Sequence, residues 1–227
     1  AVSSLFATRL PATLTVMIPI LLLDTLIAIP IALGVAYVRG SLTDRTLMVA
    51  PTVALSISFL VYVIVGQYVF GFQLGWFPVQ GWSNSLLTNL TQYAPLPVLL
   101  AVMVGVAPQT RLYRTFFLDE IGQDYVRTAR AKGLTEKTIL LKHVLRNAMI
   151  PILTNVAVAL PGIFVGSFLI EVFFSIPGLG REVLLAVNRS DYPVIQAVTI
   201  YVAVITMLVN LGTDVLYKLV DPRVVLK

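Results

Sequence analysis

Five long apolar blocks separated by polar segments constrain this chain more than anything else in it. They run over about Ala12–Val38, Leu47–Phe70, Pro95–Phe117, Ala148–Phe174 and Val194–Leu219. Each supplies about 20 residues, enough to cross a hydrocarbon layer of ~30 Å as a helix. The runs are continuous rather than alternating, which excludes a membrane β-barrel pattern. Pro19, Pro30, Pro51, Pro108 and Pro161 interrupt them. Between packed membrane helices such prolines are tolerated, because neighbouring groups satisfy the freed carbonyls. The pattern predicts an all-α polytopic membrane protein with about five spans, forming a single domain over residues 1–227.

Charge gives that domain a direction. Only 12% of the 227 residues are charged and 58% are hydrophobic, against about 25% charged in a soluble domain. The net charge of +5 lies beside the apolar blocks, without an arginine-rich surface or aromatic readout motif, so nucleic acid is not an expected partner. With the N-terminus outside, the inner segments Arg39–Arg45, Arg111–Arg146 and Lys218 onward hold 13 of the 16 Lys and Arg residues. Arg9, Arg181 and Arg189 remain outside. That bias predicts N-terminus outside and C-terminus inside. Trp76, Trp82 and Tyr93 in the loop Phe72–Tyr93 suit an interfacial belt or a small outer cap. The chain has no cysteine, which removes disulfides and thiolate metal sites, and His143 alone cannot form a zinc cluster.

The inner loop over residues 118–147 is longer than a connection requires. Its core, DYVRTARAKGLTEKTILLKHVLRNAMIP from Asp124 to Pro151, carries Arg127, Arg130, Lys132, Lys137, Lys142 and Arg146. Asp119–Lys132 reads as one amphipathic helix with Ile121, Tyr125, Val126 and Ala129 on its apolar stripe. Its acids Asp119, Glu120 and Asp124 precede its bases, which suits the helix dipole. Gly133 is expected to end it with a positive φ, and Thr135 to cap the next helix. That helix presents Ile139, Leu140, Val144 and Leu145 and leads into the fourth span. Small Ala129 and Ala131 would allow close approach. Two readings stay open on this basis: a handle gripped by a soluble partner, or an amphipathic loop resting on anionic lipid.

These residues carry a resemblance. Asp124–Pro151 resembles the EAA loop of ATP-binding-cassette importer permeases, and YVRTARAKGL with LLKHVLRNAMIP is similar to the dipeptide and oligopeptide branch. Arg127, Thr128 and Ala129 stand where the wider family has Glu-Ala-Ala, and Gly133 is the motif glycine. Arg127 and the late Pro151 depart from the sugar and amino-acid permeases in the manner of the peptide branch. EVFFSIPGLG (Glu171–Gly180) and the stretch from Asp191 to Asp221 extend the similarity over nearly the whole chain. The resemblance implies a type I importer transmembrane domain with a coupling loop that includes Asp124, Tyr125, Arg127, Thr128, Ala129, Arg130, Gly133 and Leu134. It also implies a second homologous permease, two cytoplasmic ATPases and an extracytoplasmic substrate-binding protein, in a bacterial or archaeal cytoplasmic membrane with its lipids. ATP and magnesium would sit on the ATPases, with no cofactor in this chain, which lacks a GxxxxGK[ST] loop. The first-subunit type has six helices, and this chain would begin just before the second; a natural five-span protein is the alternative.

Pathway or outer-gate positions are Asp24, Asn155, Glu171, Pro177, Gly178 and Gly180. Charge at membrane depth is costly and faces a bundle, partner or water. Asp24 suits a substrate amine or a helix contact. Glu171 suits a gate or the support of the following turn over 175–180. Asp214 with Lys218 has ion-pair spacing. Asn155 and Asn210 suit hydrogen bonds between helices or a wet path. Ile176–Gly180 is expected to break the fourth span, and Arg181–Asn188 to form a short helix within the segment 175–193. The leading expectation is a permease subunit for peptides or peptide-like substrates. Nickel or nickel complexes as cargo, a secondary carrier, and a scaffold subunit of a membrane complex are the alternatives.

Overall fold

The computed structural model describes residues 2–38, 49 and 55–220, with side chains described for 4–38, 49 and 55–213. The segment Arg39–Arg45, Pro51, the start of the second expected span, the Asp214–Lys218 pair and Asp221 lie outside that description. Helix dominates what is described. Helix α1 is Val2–Tyr37, α2 Phe59–Gly66, α3 Leu86–Thr88, α4 Pro95–Ile121 and α5 Asp124–Ala131. Then follow α6 Glu136–Thr138, α7 Leu145–Val165, α8 Phe168–Phe173, α9 Leu179–Asn188 and α10 Tyr192–Val220. Wider π-helical turns extend α2 through Gln67–Gln73 and α3 through Asn89–Tyr93, and Ile139–Val144 joins α6 to α7.

Four described helices are long and apolar enough to span a membrane: Ser4–Tyr37, Pro95–Ile121, Glu136–Val165 and Tyr192–Thr213. Phe59–Gln73 is a shorter apolar helix where the second span was expected. Pro19 and Pro30 lie within α1, Pro108 within α4 and Pro161 within α7 without ending them.

Two sequence expectations need correction. The fourth span does not run to Phe174. It stops at Val165, because Gly166 takes φ +78 and Ser167 opens α8 as its N-cap, accepting from the Ile170 N–H. Nor is Asp119–Lys132 one helix. Gly122 closes α4, and extended Gln123 starts α5 anew. Asp119 and Glu120 therefore belong to the end of α4, and only Asp124 lies in the first turn of α5.

The chain packs as two compact units. One comprises Ala1–Pro19, Val63–Leu99 and Ala157–Lys227; the other comprises Ile20–Tyr62 and Leu100–Val156. The second has a continuous apolar core. Ala28, Ala32 and Ala36 of α1 meet Tyr113 and Phe117 of α4, Val126 and Ala129 of α5, and Ala148 and Ile152 of α7. The alanine row, spaced by four residues, makes a flat helix face on which the large rings settle. In the first unit, Gln67 donates to the carbonyls of Val79 and Phe173 at 3.1 and 2.9 Å, pinning a long loop to the end of α8.

Candidate functional site

The basic loop is a helix–glycine–helix held from below. Val126 and Ala129 are buried in the core of their unit, Ala129 only 6% exposed. The Tyr125 hydroxyl donates to Glu120 at 2.6 Å and ties α5 to the end of α4. Burial first, and the Glu120 carboxylate second, push this phenol above its ordinary range. Asp124, Arg127, Thr128, Arg130, Gly133 and Leu134 are exposed. The small Ala129 thus seats the loop on its own helices, a correction to the expectation that it admits a partner; exposed Ala131 retains that geometry.

Gly133 takes φ +77, as a residue following the helix end does when it reverses the chain. Thr135 caps α6 by accepting from the Thr138 N–H at 3.4 Å. Across the bend, Arg130 Nε donates to Glu136 Oε1 at 2.7 Å and its terminal nitrogen to Oε2 at 3.2 Å. This bidentate pair links the two arms; the sequence reading missed it, although the i, i+6 spacing of opposite charges across a glycine was a visible signal.

Glu171 forms a second centre. It is 2% exposed on α8. The Thr13 hydroxyl donates to Oε1 at 2.8 Å and the Arg181 N–H donates to Oε2 at 2.7 Å. Thr13 in turn accepts from the Leu179 N–H at 2.8 Å. The carboxylate therefore sits at the N-terminus of α9, where free N–H groups favour negative charge. A Cβ on Gly166 or Gly178 would overlap that carboxylate, and one on Gly180 would lie 2.8 Å from the Phe168 nitrogen. Gly178 and Gly180 are thus needed for close approach. The left-handed residues near this turn are instead Gly166 and Ser175, at φ +78 and +57. Pro177 borders a cavity of about 270 Å³ together with Arg9, Trp82 and Asn89. Arg9 also pairs with Glu182 of α9 at 3.2 Å.

Asn155 and Asp24 belong to neither centre. Asn155 Oδ1 accepts from Gln109 at 2.7 Å, and the same amide donates to the Tyr113 hydroxyl at 2.6 Å, a bond between α7 and α4. Asn210 is exposed on α10 and is not part of this network. Asp24 is half-buried, with its carboxylate against Gly105 of α4 so closely that a Cβ there would overlap it. Gly105→Ala is therefore expected to destabilise the protein by about 1–3 kcal/mol through overpacking. Gly105→Ala combined with Asp24→Ala should recover much of the loss. Thermal unfolding of the purified complex checks both, and equal destabilisation by single and double variants would contradict this contact.

These features define a helical, multi-pass membrane protein. It belongs to the family described as "Binding-protein-dependent transport system inner membrane component", whose model matches residues 27–226. It is a permease subunit of an ATP-binding-cassette importer, and such subunits are not themselves enzymes. The chain is 36% identical over 228 residues to the oligopeptide transport system permease protein AppB of Bacillus subtilis (strain 168), covering 98% of this chain and 72% of the relative. It is 35% identical over 224 residues to the dipeptide transport system permease protein DppB of Lactococcus lactis subsp. cremoris (strain MG1363), with coverage of 98% and 72%. It is 34% identical over 226 residues to the glutathione transport system permease protein GsiC of Salmonella typhi, with coverage of 98% and 71%.

Proposed function

We propose that this chain forms half of an import pathway for peptides or small peptide-like molecules, and that its basic loop is the contact for a cytoplasmic ATPase. The observation that carries the coupling reading is the loop's two-sidedness. Val126 and Ala129 anchor it to helices α1, α4 and α7 of its own unit, while Arg127, Thr128 and Leu134 stay exposed. A projection anchored this way can transmit a push from a soluble partner to membrane helices. A loop merely floating on lipid would turn its apolar stripe outward. The peptide reading draws on the oligopeptide, dipeptide and glutathione permeases to which the chain is similar.

In this reading residues 1–227 form one permease domain with five spans, N-terminus outside and C-terminus inside. Family architecture implies a paired permease, two ATPases and an external binding protein. The Glu171 centre, with Pro177, Gly178 and Gly180, then lies on the outer side and fixes the mouth of the path. Asn155 and Asp24 act chiefly as contacts between helices, with the Asp24 carboxylate the group available to a substrate amine. The mass of the intact detergent-solubilised complex tests the assembly. Two permease chains and two ATPases are expected, with ATP turnover stimulated by a loaded binding protein. A stable single chain that transports on its own would overturn the reading.

A further inference from the structure

Two helix faces in the second unit meet to form a groove. Pro30, Leu33, Gly34 and Tyr37 follow one another at helical spacing along α1. Opposite them, Lys137, Leu140 and Leu141 form a stripe at i, i+3 and i+4 along α6 and its π-helical extension. The groove is open to its surroundings, with a volume of about 440 Å³, and its walls are almost entirely apolar. Gly34 opens the wall: a Cβ there would touch nothing within 4 Å. From Pro30 to Tyr37 the groove runs about 10 Å along the helix axis.

Its polar groups are not scattered. Tyr37 is the last residue of α1, and Lys137 is the second residue of the long apolar helix Glu136–Val165. Lys137 is exposed and has no ion pair among the described residues. An apolar slot leading to an ammonium and a phenol reproduces the layout of a phospholipid, with its tail in the slot and its phosphate at the mouth. Lysine at a membrane interface favours anionic over zwitterionic headgroups.

We propose that this groove binds one anionic phospholipid, with an acyl chain along Leu33, Gly34, Leu140 and Leu141 and the headgroup phosphate on Lys137. Lys137, Leu140 and Leu141 belong to the same basic loop but not to the positions from Asp124 to Leu134 that carry the ATPase reading, so the lipid site is tested separately from it. A lipid wedged between α1 and α6 would join the basic loop to the membrane that surrounds it.

The test uses the assembled complex in nanodiscs of equal phosphatidylglycerol and phosphatidylcholine, released into native mass spectrometry. Wild type should retain phosphatidylglycerol. Gly34→Leu fills the open wall and should remove the retained lipid of either kind. Lys137→Gln, at an exposed position that leaves the fold intact, should lower the preference for phosphatidylglycerol by roughly fivefold. A symmetric nanodisc presents the same lipid on both faces, so the result does not depend on the chain's orientation. A photoreactive phenylalanine analogue incorporated at Leu141 gives a second readout at one defined position. Cross-linking to lipid supports the proposal. Cross-linking to a protein segment instead, or an unchanged lipid preference in Lys137→Gln, overturns it.

Discussion

Glu171→Ala is expected to cost about 3–5 kcal/mol and to abolish transport. The carboxylate is buried and joins three separate pieces of chain: Thr13 on α1, its own helix α8, and the first turn of α9 through Arg181. Its removal leaves the Thr13 hydroxyl and the Arg181 N–H without their acceptor. The glycines at 166 and 178 add to the loss, because they were shaped around the carboxylate and no side chain fills the space. Glu171→Gln keeps the volume and one acceptor for Arg181, and Thr13 can turn its hydroxyl to accept from the new amide. A much smaller loss is therefore expected. Thermal unfolding of the complex with a parallel uptake assay separates the two variants. Equal behaviour of alanine and glutamine would show that the hydrogen-bond network is not what holds the turn.

Gly133→Val is expected to uncouple transport from ATP hydrolysis while leaving the complex assembled. An added Cβ at Gly133 meets no atom within 4 Å, so the penalty is conformational rather than steric crowding. At φ +77 a β-branched residue is strained by about 1–3 kcal/mol. The chain relieves that strain by changing the angle between α5 and α6, against the bidentate Arg130–Glu136 pair that spans the bend. Asparagine tolerates the left-handed region, so Gly133→Asn should retain most coupling. Substrate-stimulated ATP turnover is the measurement, with ATPase copurification as the control for assembly. Unchanged stimulation in the valine variant would remove Gly133 from the coupling bend.

What could be read from the sequence was local. Gly133 and Thr135 were legible because a helix end and a helix cap are decided within four residues. The long helices were legible from hydrophobic length alone. The break at Gly166 was not, because glycine within an apolar run is common in membrane helices, and the crowding that excludes a Cβ there comes from Thr13 and Glu171, which local pattern does not place beside it. Thr13 itself was invisible: it bonds a residue 158 positions away. Ala129 was recognised as part of the apolar stripe, but which small residue faced inward depended on the core formed by α1, α4 and α7. The division of Asp119–Lys132 turned on Gly122 and Gln123, whose weak helix-ending signal was hidden by acids that suited a helix start.

The most direct test of the central claim places a photoreactive phenylalanine analogue at Arg127, on the exposed side of α5. The assembled complex is irradiated with and without ATP. Cross-linking to the ATPase in both states, with a yield or contact peptide that changes on ATP binding, is the predicted result. Cross-linking to lipid alone, or none to the ATPase in either state, would contradict the claim that this loop couples nucleotide hydrolysis to transport.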